Sequence, residues 1–333
     1  MNPLHLKFQK RVAESGLTLP ACFLLTMVIW CFPLMENDTE MITIGAWNFE
    51  VNVPRLWVDI LPGLALCILT AYLLAETNNT QQIIRIRTRL MSSCWLVMAS
   101  CFAFLHSDTT ALFCALAFSF AVLLVFRSYQ LYNPVNLTFQ CFLCLGIGSL
   151  AWTLMLVVAV VFFFIMKALT QSFSWRCFWA GMVGLMFSYW CWLMWSLWSD
   201  NFMPLTSHFT DLRNFQFPGS LPFSEWGTVW VADWLFMIVL ALLGIGHFLY
   251  TSYNDKLRVR TFFHVYLLLI VILQVTLFVQ PRLFPVLMAM SMVCASPFIA
   301  HYFALTDNRF SNILFIIVLL SYIPLTLLNM DLI

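Results

Sequence analysis

Apolar runs of about twenty residues recur along the whole chain with only short polar stretches between them, and such runs match the hydrocarbon thickness that a helix must cross. They fall near residues 17–35, 56–75, 90–106, 109–126, 135–149, 150–167, 177–198, 229–250, 262–280, 283–303 and 311–330. A membrane-spanning strand would instead alternate apolar and polar residues over about ten positions. Continuous runs therefore predict helices. Only 9% of the residues are charged and 62% are hydrophobic, whereas a soluble domain carries about 25% charged residues. No water-soluble core hides that much apolar surface, so lipid is the expected solvent. No polar segment is long enough for a separate soluble domain. The expected fold is all-α: one polytopic transmembrane bundle of about 11 spans covering residues 1–333.

Orientation follows from the cations, because Lys and Arg concentrate on the cytoplasmic side. Residues 135–167 are the ambiguous stretch, either one long helix or two short ones. Reading them as a hairpin that turns at Gly146-Ile147-Gly148-Ser149, with the N-terminus inside, puts thirteen of the 16 Lys and Arg on the inner face. Only Arg55, Arg213 and Arg282 then face out. A single span there would scatter the cations over both faces. In the hairpin reading eleven of the 15 acids fall outside; acids contribute little to topogenesis, so insertion alone does not explain that acidic outer face.

Lys7, Lys10 and Arg11 precede the first apolar run as in a signal peptide, but no small-x-small site follows it. An uncleaved first span is expected. Eleven cysteines lie almost wholly inside apolar runs and report no redox compartment. A net charge of +1 and the lack of a basic patch interleaved with aromatics argue against nucleic acid.

Candidate chemistry gathers near the outer face. Glu36, Asp38 and Glu40 follow the first span at i, i+2 and i+4. Such carboxylates suit a divalent cation, or one of them a general base; a plain solvated acidic loop accounts for them as well. Asp59 and Asp233 stand just inside the outer ends of spans two and eight, where water is expected to reach them and the positive helix N-terminus favours them. Trp57, Trp195, Trp198, Trp226, Trp230 and Trp234 read as an interfacial belt or as a stacking platform for a sugar or isoprenoid. His106 with Asp108, and His208 with Asp211 and Arg213, are short polar constellations in outer turns. His247, His264 and His301 sit in or near spans, where lone histidines usually bond helix to helix. Cys141 and Cys144 form a CxxC, but mid-span and without a βαβ setting. No resident cofactor is expected, with a divalent metal the one that the outer acids leave room for.

The stretch from Asn136 to Trp192, with Gly146, Ser149 and Leu150 followed by Ser172, Trp175, Arg176, Gly181 and Gly184, resembles an uncharacterised family of multi-span inner-membrane proteins from Gram-negative gut-type bacteria. In that family a helical hairpin precedes an Arg- and aromatic-bearing cytoplasmic turn. Phe139 or Gln140 stands here where the family has an acid. The resemblance implies location and topology, not activity. A fainter one is to multi-span polyprenyl-phosphate-dependent glycosyltransferases, which carry catalytic acids in the first outer loop. It would make Glu36 or Asp38 the base, with Arg55, Arg213 or Arg282 gripping a phosphate and Asp59, Asp233 and Trp230 lining the substrate. Three functions are thus open: an envelope component or subunit of a membrane complex, such a glycosyltransferase on the periplasmic face, and a transporter or flippase. The partners implied are the bilayer, a polyprenyl-phosphate lipid or another membrane protein.

Overall fold

The computed structural model describes residues 8–31, 41–44, 49–52, 60–213 and 226–330. Its helices are α1 (Phe8–Glu14), α2 (Thr18–Cys31), α3 (Leu61–Gln81), α4 (Leu90–Cys101), α5 (Phe104–Ser107), α6 (Thr109–Arg127) and α7 (Val135–Ala151). They continue with α8 (Met155–Ala168), α9 (Trp175–Trp198), α10 (Met203–Arg213), α11 (Thr228–Thr251), α12 (Leu257–Val279), α13 (Phe284–Leu305) and α14 (Arg309–Met330). One departure from the all-helical expectation lies between α2 and α3. There β1 (Met41–Ile44) pairs antiparallel with β2 (Phe49–Asn52), Met41 opposite Asn52 and Ile44 opposite Phe49.

Among the described residues, 7 helices are long and apolar enough to cross a membrane, or 8 if α1 and α2, bent by 91°, count as one span. Helices α4, α7 and α8 are apolar but have only 12, 17 and 14 residues. At 1.5 Å per residue they reach about 18–26 Å, short of a hydrocarbon core of about 30 Å.

The stretch 135–167 is a hairpin, but it does not turn at the glycines. Helix α7 runs through Gly146 and Gly148 and ends at Trp152, whose extended backbone (φ −146°, ψ 108°) stops it; α8 restarts at Met155. Residues equally far from that turn meet: Gly148 lies against Met155, and the Phe142 and Phe163 rings stack at 3.9 Å. The glycines serve packing instead. A Cβ on Gly146 would lie 2.7 Å from Ser188 Oγ on α9, and one on Gly184 would lie 2.6 Å from the Phe139 carbonyl on α7. Small residues let these two helices touch backbone to backbone.

Helix α13 forms the centre. In the most apolar 18-residue stretch of Pro281–Leu305, 89% of the residues are buried, against 28% in that of α9 and 22% in that of the last helix. Its sequence explains the position: Ala289, Ser291, Cys294, Ala295, Ser296 and Ala300 keep it slim and are all buried. Gly244 of α11 presses on it so closely that a Cβ would fall 2.5 Å from the Phe298 carbonyl. Helix α9 instead carries Trp175, Trp179, Trp190, Trp195 and Trp198 outward, a face suited to acyl chains.

Contacts collect the helix termini into two groups. At one end Gln9 of α1 donates to the Phe303 carbonyl (2.7 Å) and accepts from Ser311 (2.9 Å), Arg89 donates to the Gly16 carbonyl, Arg127 approaches Glu76 (3.6 Å), and Gln130 N–H donates to the Thr170 carbonyl. At the other, Ala103 meets Asn329, Trp226 donates to the Pro281 carbonyl, and Thr153 meets His208. The first end carries the cations assigned above to the inner face.

Candidate functional site

A cleft of about 850 Å³ opens at the cation-bearing end, between the last turn of α3, the α3–α4 connection and the start of α12. Local sequence shapes both walls. After α3 the chain reads Ile84-Arg85-Ile86-Arg87-Thr88-Arg89, bending at residues 84–86, and exposure alternates along it. Ile84 and Thr88 turn inward and Ile86 is half-buried, while Arg85, Arg87 and Arg89 point to solvent. Asn78 pins this segment, donating to the Thr88 carbonyl (2.9 Å) and accepting from Ile84 N–H (3.1 Å). Gln82 turns the chain out of α3 in the left-handed region (φ 51°), an uncommon conformation for a residue other than glycine. The opposite wall is Asn254-Asp255-Lys256, followed by Arg258 in the first turn of α12.

The cleft's charges are four cations and one acid. Asp255 is buried; its Oδ1 accepts from Arg85 Nε at 2.5 Å. Arg258 donates to Gln81 and lies over the Tyr129 and Phe262 rings, 5.9 and 5.3 Å from their centroids, close enough for a cation–π interaction. Arg87 and Lys256 are exposed and have no partner among the described residues. The Asn and Gln side chains add neutral donors. A cleft of this kind recognises anions, and the planar Arg forks suit phosphate and carboxylate groups in particular.

Behind Asp255 a polar chain runs into the bundle. His301, buried on α13, places Nε2 3.5 Å from Asp255 Oδ2, and its Nδ1 is 3.3 Å from Nδ1 of the half-buried His247 on α11. Both histidines thus link helices, while His264 bonds the Arg260 carbonyl of its own helix (2.6 Å).

The structure places the outer candidates differently. Glu36, Asp38, Glu40, Arg55, Trp57 and Asp59 lie outside the described residues, as do the side chains of Asp211 and Arg213. Arg282 is exposed in the turn between α12 and α13. Asp233 is not washed by water at a helix end: it is fully buried, and its Oδ1 accepts from Asn329 Nδ2 at 2.9 Å. Trp230 stacks on Phe284 at 5.0 Å, half-buried in an aromatic cluster with Phe104. His106 is buried against Trp30 (4.4 Å between ring centroids), and Asp108 caps α6 by accepting from Ala111 N–H at 3.0 Å. Burial pushes the Asp108 carboxyl above its usual range. His208 seats α10 on Thr153 and Trp192. Cys141 and Cys144 are free thiols. Among the described residues no group of three or more His, Cys, Asp or Glu is placed to hold a metal ion.

Sequence reasoning read Arg85, Arg87, Lys256 and Arg258 only as markers of orientation. The signal available was the alternation of apolar or small residues with Arg after Ile84, which leaves the cations exposed. Nothing in the sequence tied residues 78–87 to 254–259.

Comparison with known proteins gives no match: no family model, no curated protein and no solved structure. The function is therefore argued from the cleft.

Proposed function

We propose that this chain is an integral protein of a bacterial inner membrane, crossing it eleven times, which binds a phosphate-bearing anion in the cleft at its cytoplasmic face. The observation that carries the reading is the convergence of Arg85, Arg87, Lys256 and Arg258 on one open cavity whose single acid, Asp255, is already engaged by Arg85. The short helices α4, α7 and α8 count as crossings because their ends join the same two groups as those of the long helices. The positive-inside preference gives the cation-bearing end to the cytoplasm.

The cleft sits at membrane-surface level, so the phosphate can belong to a lipid headgroup or to a soluble molecule. A polyprenyl-phosphate lipid, as the glycosyltransferase resemblance would have it, is within the same class. An envelope component that recognises such a group needs no catalytic constellation, and the cleft offers binding chemistry.

The test is titration of the full chain in nanodiscs of zwitterionic lipid with inorganic pyrophosphate, beside the double variant Arg87→Gln/Lys256→Gln. Wild type is expected to bind in a salt-sensitive manner, and the variant at least about tenfold more weakly, since loss of 1.4 kcal/mol is a factor of ten. Competition by an anionic phospholipid in the disc would assign the site to headgroups; indifference to it would assign a soluble ligand. Equal binding by variant and wild type would overturn the cleft.

A further inference from the structure

Arg85 is shared between the cleft and a buried proton-accepting pair. Its Nε is held by Asp255 Oδ1, while the rest of its half-exposed guanidinium faces the cavity. Asp255 brings its other oxygen, Oδ2, within 3.5 Å of His301 Nε2, ion-pair reach without a hydrogen bond, and neither atom has a hydrogen-bond partner among the described residues. His301 Nδ1 then faces His247 Nδ1 at 3.3 Å. Two imidazole nitrogens at that distance require one donor and one acceptor.

The hydrogen bond between the two rings is made in two protonation states. With both rings neutral, His301 carries its proton on Nε2, facing Asp255, and accepts at Nδ1 from His247. With one proton added, His301 carries a proton on both nitrogens, one facing Asp255 and the other donated to a His247 whose Nδ1 has become the acceptor. No hydrogen bond is lost between the states, so the charge balance around Asp255 decides between them. With the cleft free, Arg85 matches Asp255. An anion that takes part of the Arg85 charge leaves Asp255 less compensated, and an imidazolium at His301 restores the balance.

We propose that anion binding in the cleft is coupled to uptake of a proton by the His301–His247 pair. The inference rests on the cleft reading above and names its coupling. The proton enters from water through the half-buried His247 and leaves when the anion does; no covalent bond is made or broken. By linkage, a lower pH then tightens anion binding. The ionisable groups recorded around His301 are Asp255 from the α11–α12 connection, His247 from α11 and Arg85 from the α3–α4 connection. Helix α12 contributes Phe263, and α11 also Phe248, as uncharged rings. Among the described residues, Arg260 and the exposed His264, elsewhere on α12, make no hydrogen bond or ion pair with His301.

The experiment is calorimetric titration of the full chain in nanodiscs with pyrophosphate at one pH, in two buffers of different ionisation enthalpy. The number of protons taken up by wild type is compared with that of His301→Gln. The ligand's own titration is common to both and cancels. On the order of one additional proton is expected in wild type. Binding without any difference in proton number would overturn the coupling and leave the cleft standing. No binding by wild type would overturn the cleft, and the coupling with it. Nitrogen-15 NMR of the imidazoles in wild type alone provides a second readout if the variant does not fold. Saturating pyrophosphate at constant pH is expected to move the His301 ring toward the imidazolium and to switch His247 to its other tautomer, and unchanged ring signals would overturn the proposal.

Discussion

The two ends of the bundle hold themselves together differently. At the cation-bearing end the contacts are many and polar, and several keep a charged partner in water: Arg85 on the buried Asp255, Lys10 near Asp307 (3.8 Å) and Arg127 near Glu76, while Gln9 is buried against the α13–α14 turn. At the opposite end the central polar contact among the described residues is sealed. Asn329 bridges the backbone N–H of Ala103 and the Asp233 carboxylate, all three buried, and the rings of Phe104, Trp226, Trp230 and Phe284 cluster at the same end. The comparison teaches that an ion pair is no guide to how much a contact matters. Solvent takes over the duties of a removed partner at the open end, and nothing does so at the closed one.

That difference gives the largest predicted effect. Asn329→Leu leaves the Ala103 N–H and the Asp233 carboxylate without partners in a dry site. At about 1–3 kcal/mol for each orphaned group, the loss should reach about 2–5 kcal/mol. Asp255→Ala removes the only acid of the cleft and breaks an ion pair, yet Arg85 can turn to water, so a loss of about 1–3 kcal/mol is expected. Thermal unfolding of both variants in the same nanodiscs ranks them. If the Asp255 variant proves the less stable, the contrast between the ends is wrong.

This contrast also explains what could be read from the sequence. The helical membrane architecture was legible because apolar run length reports directly on the solvent. Hairpin 135–167 was legible too, since only an even number of passes puts Arg127 and Lys167 on one side. Its turn was misplaced, from Gly146–Ser149 to Trp152–Leu154, because a glycine signals both a bend and a close helix contact, and only the neighbouring α9 shows which. Asp233 looked accessible because depth along a helix can be counted, whereas the Asn329 side chain that covers it comes from almost 100 residues away. The cleft was illegible for the same reason, Arg85 and Asp255 being 170 positions apart.

Helix packing midway between the ends predicts a smaller effect. Gly184→Ala sets a methyl group against the Phe139 carbonyl; backbone cannot rotate away, so α7 and α9 must separate slightly, at a cost of about 1 kcal/mol for one methylene-sized overlap. A matched Gly246→Ala, where nothing lies within 4 Å, should be neutral or slightly stabilising, since Ala favours a helix over Gly. Equal destabilisation by both would show that the close α7–α9 approach is not what sets the cost.

The smallest effect belongs to Asp108, the cap of α6 at the closed end. Its carboxyl lies above the usual range because burial disfavours the charge. A folded-state value raised above the unfolded one means that the folded protein binds this proton more tightly. The group therefore favours folding at low pH, and that contribution is lost as pH rises through the folded value. Asp108→Asn keeps a side-chain oxygen for the Ala111 N–H and carries no charge at any pH; Asn and Asp cap comparably well. At neutral pH the variant should be more stable than wild type by a few tenths of a kcal/mol, within the usual span of a capping change. Below the carboxylate range the advantage should vanish, because wild type is then protonated in both states. Unfolding measured at neutral and acidic pH separates the outcomes: an advantage that persists into acid would mean that the closed end does not penalise charge at this cap, and that its dryness stops short of the α5–α6 turn.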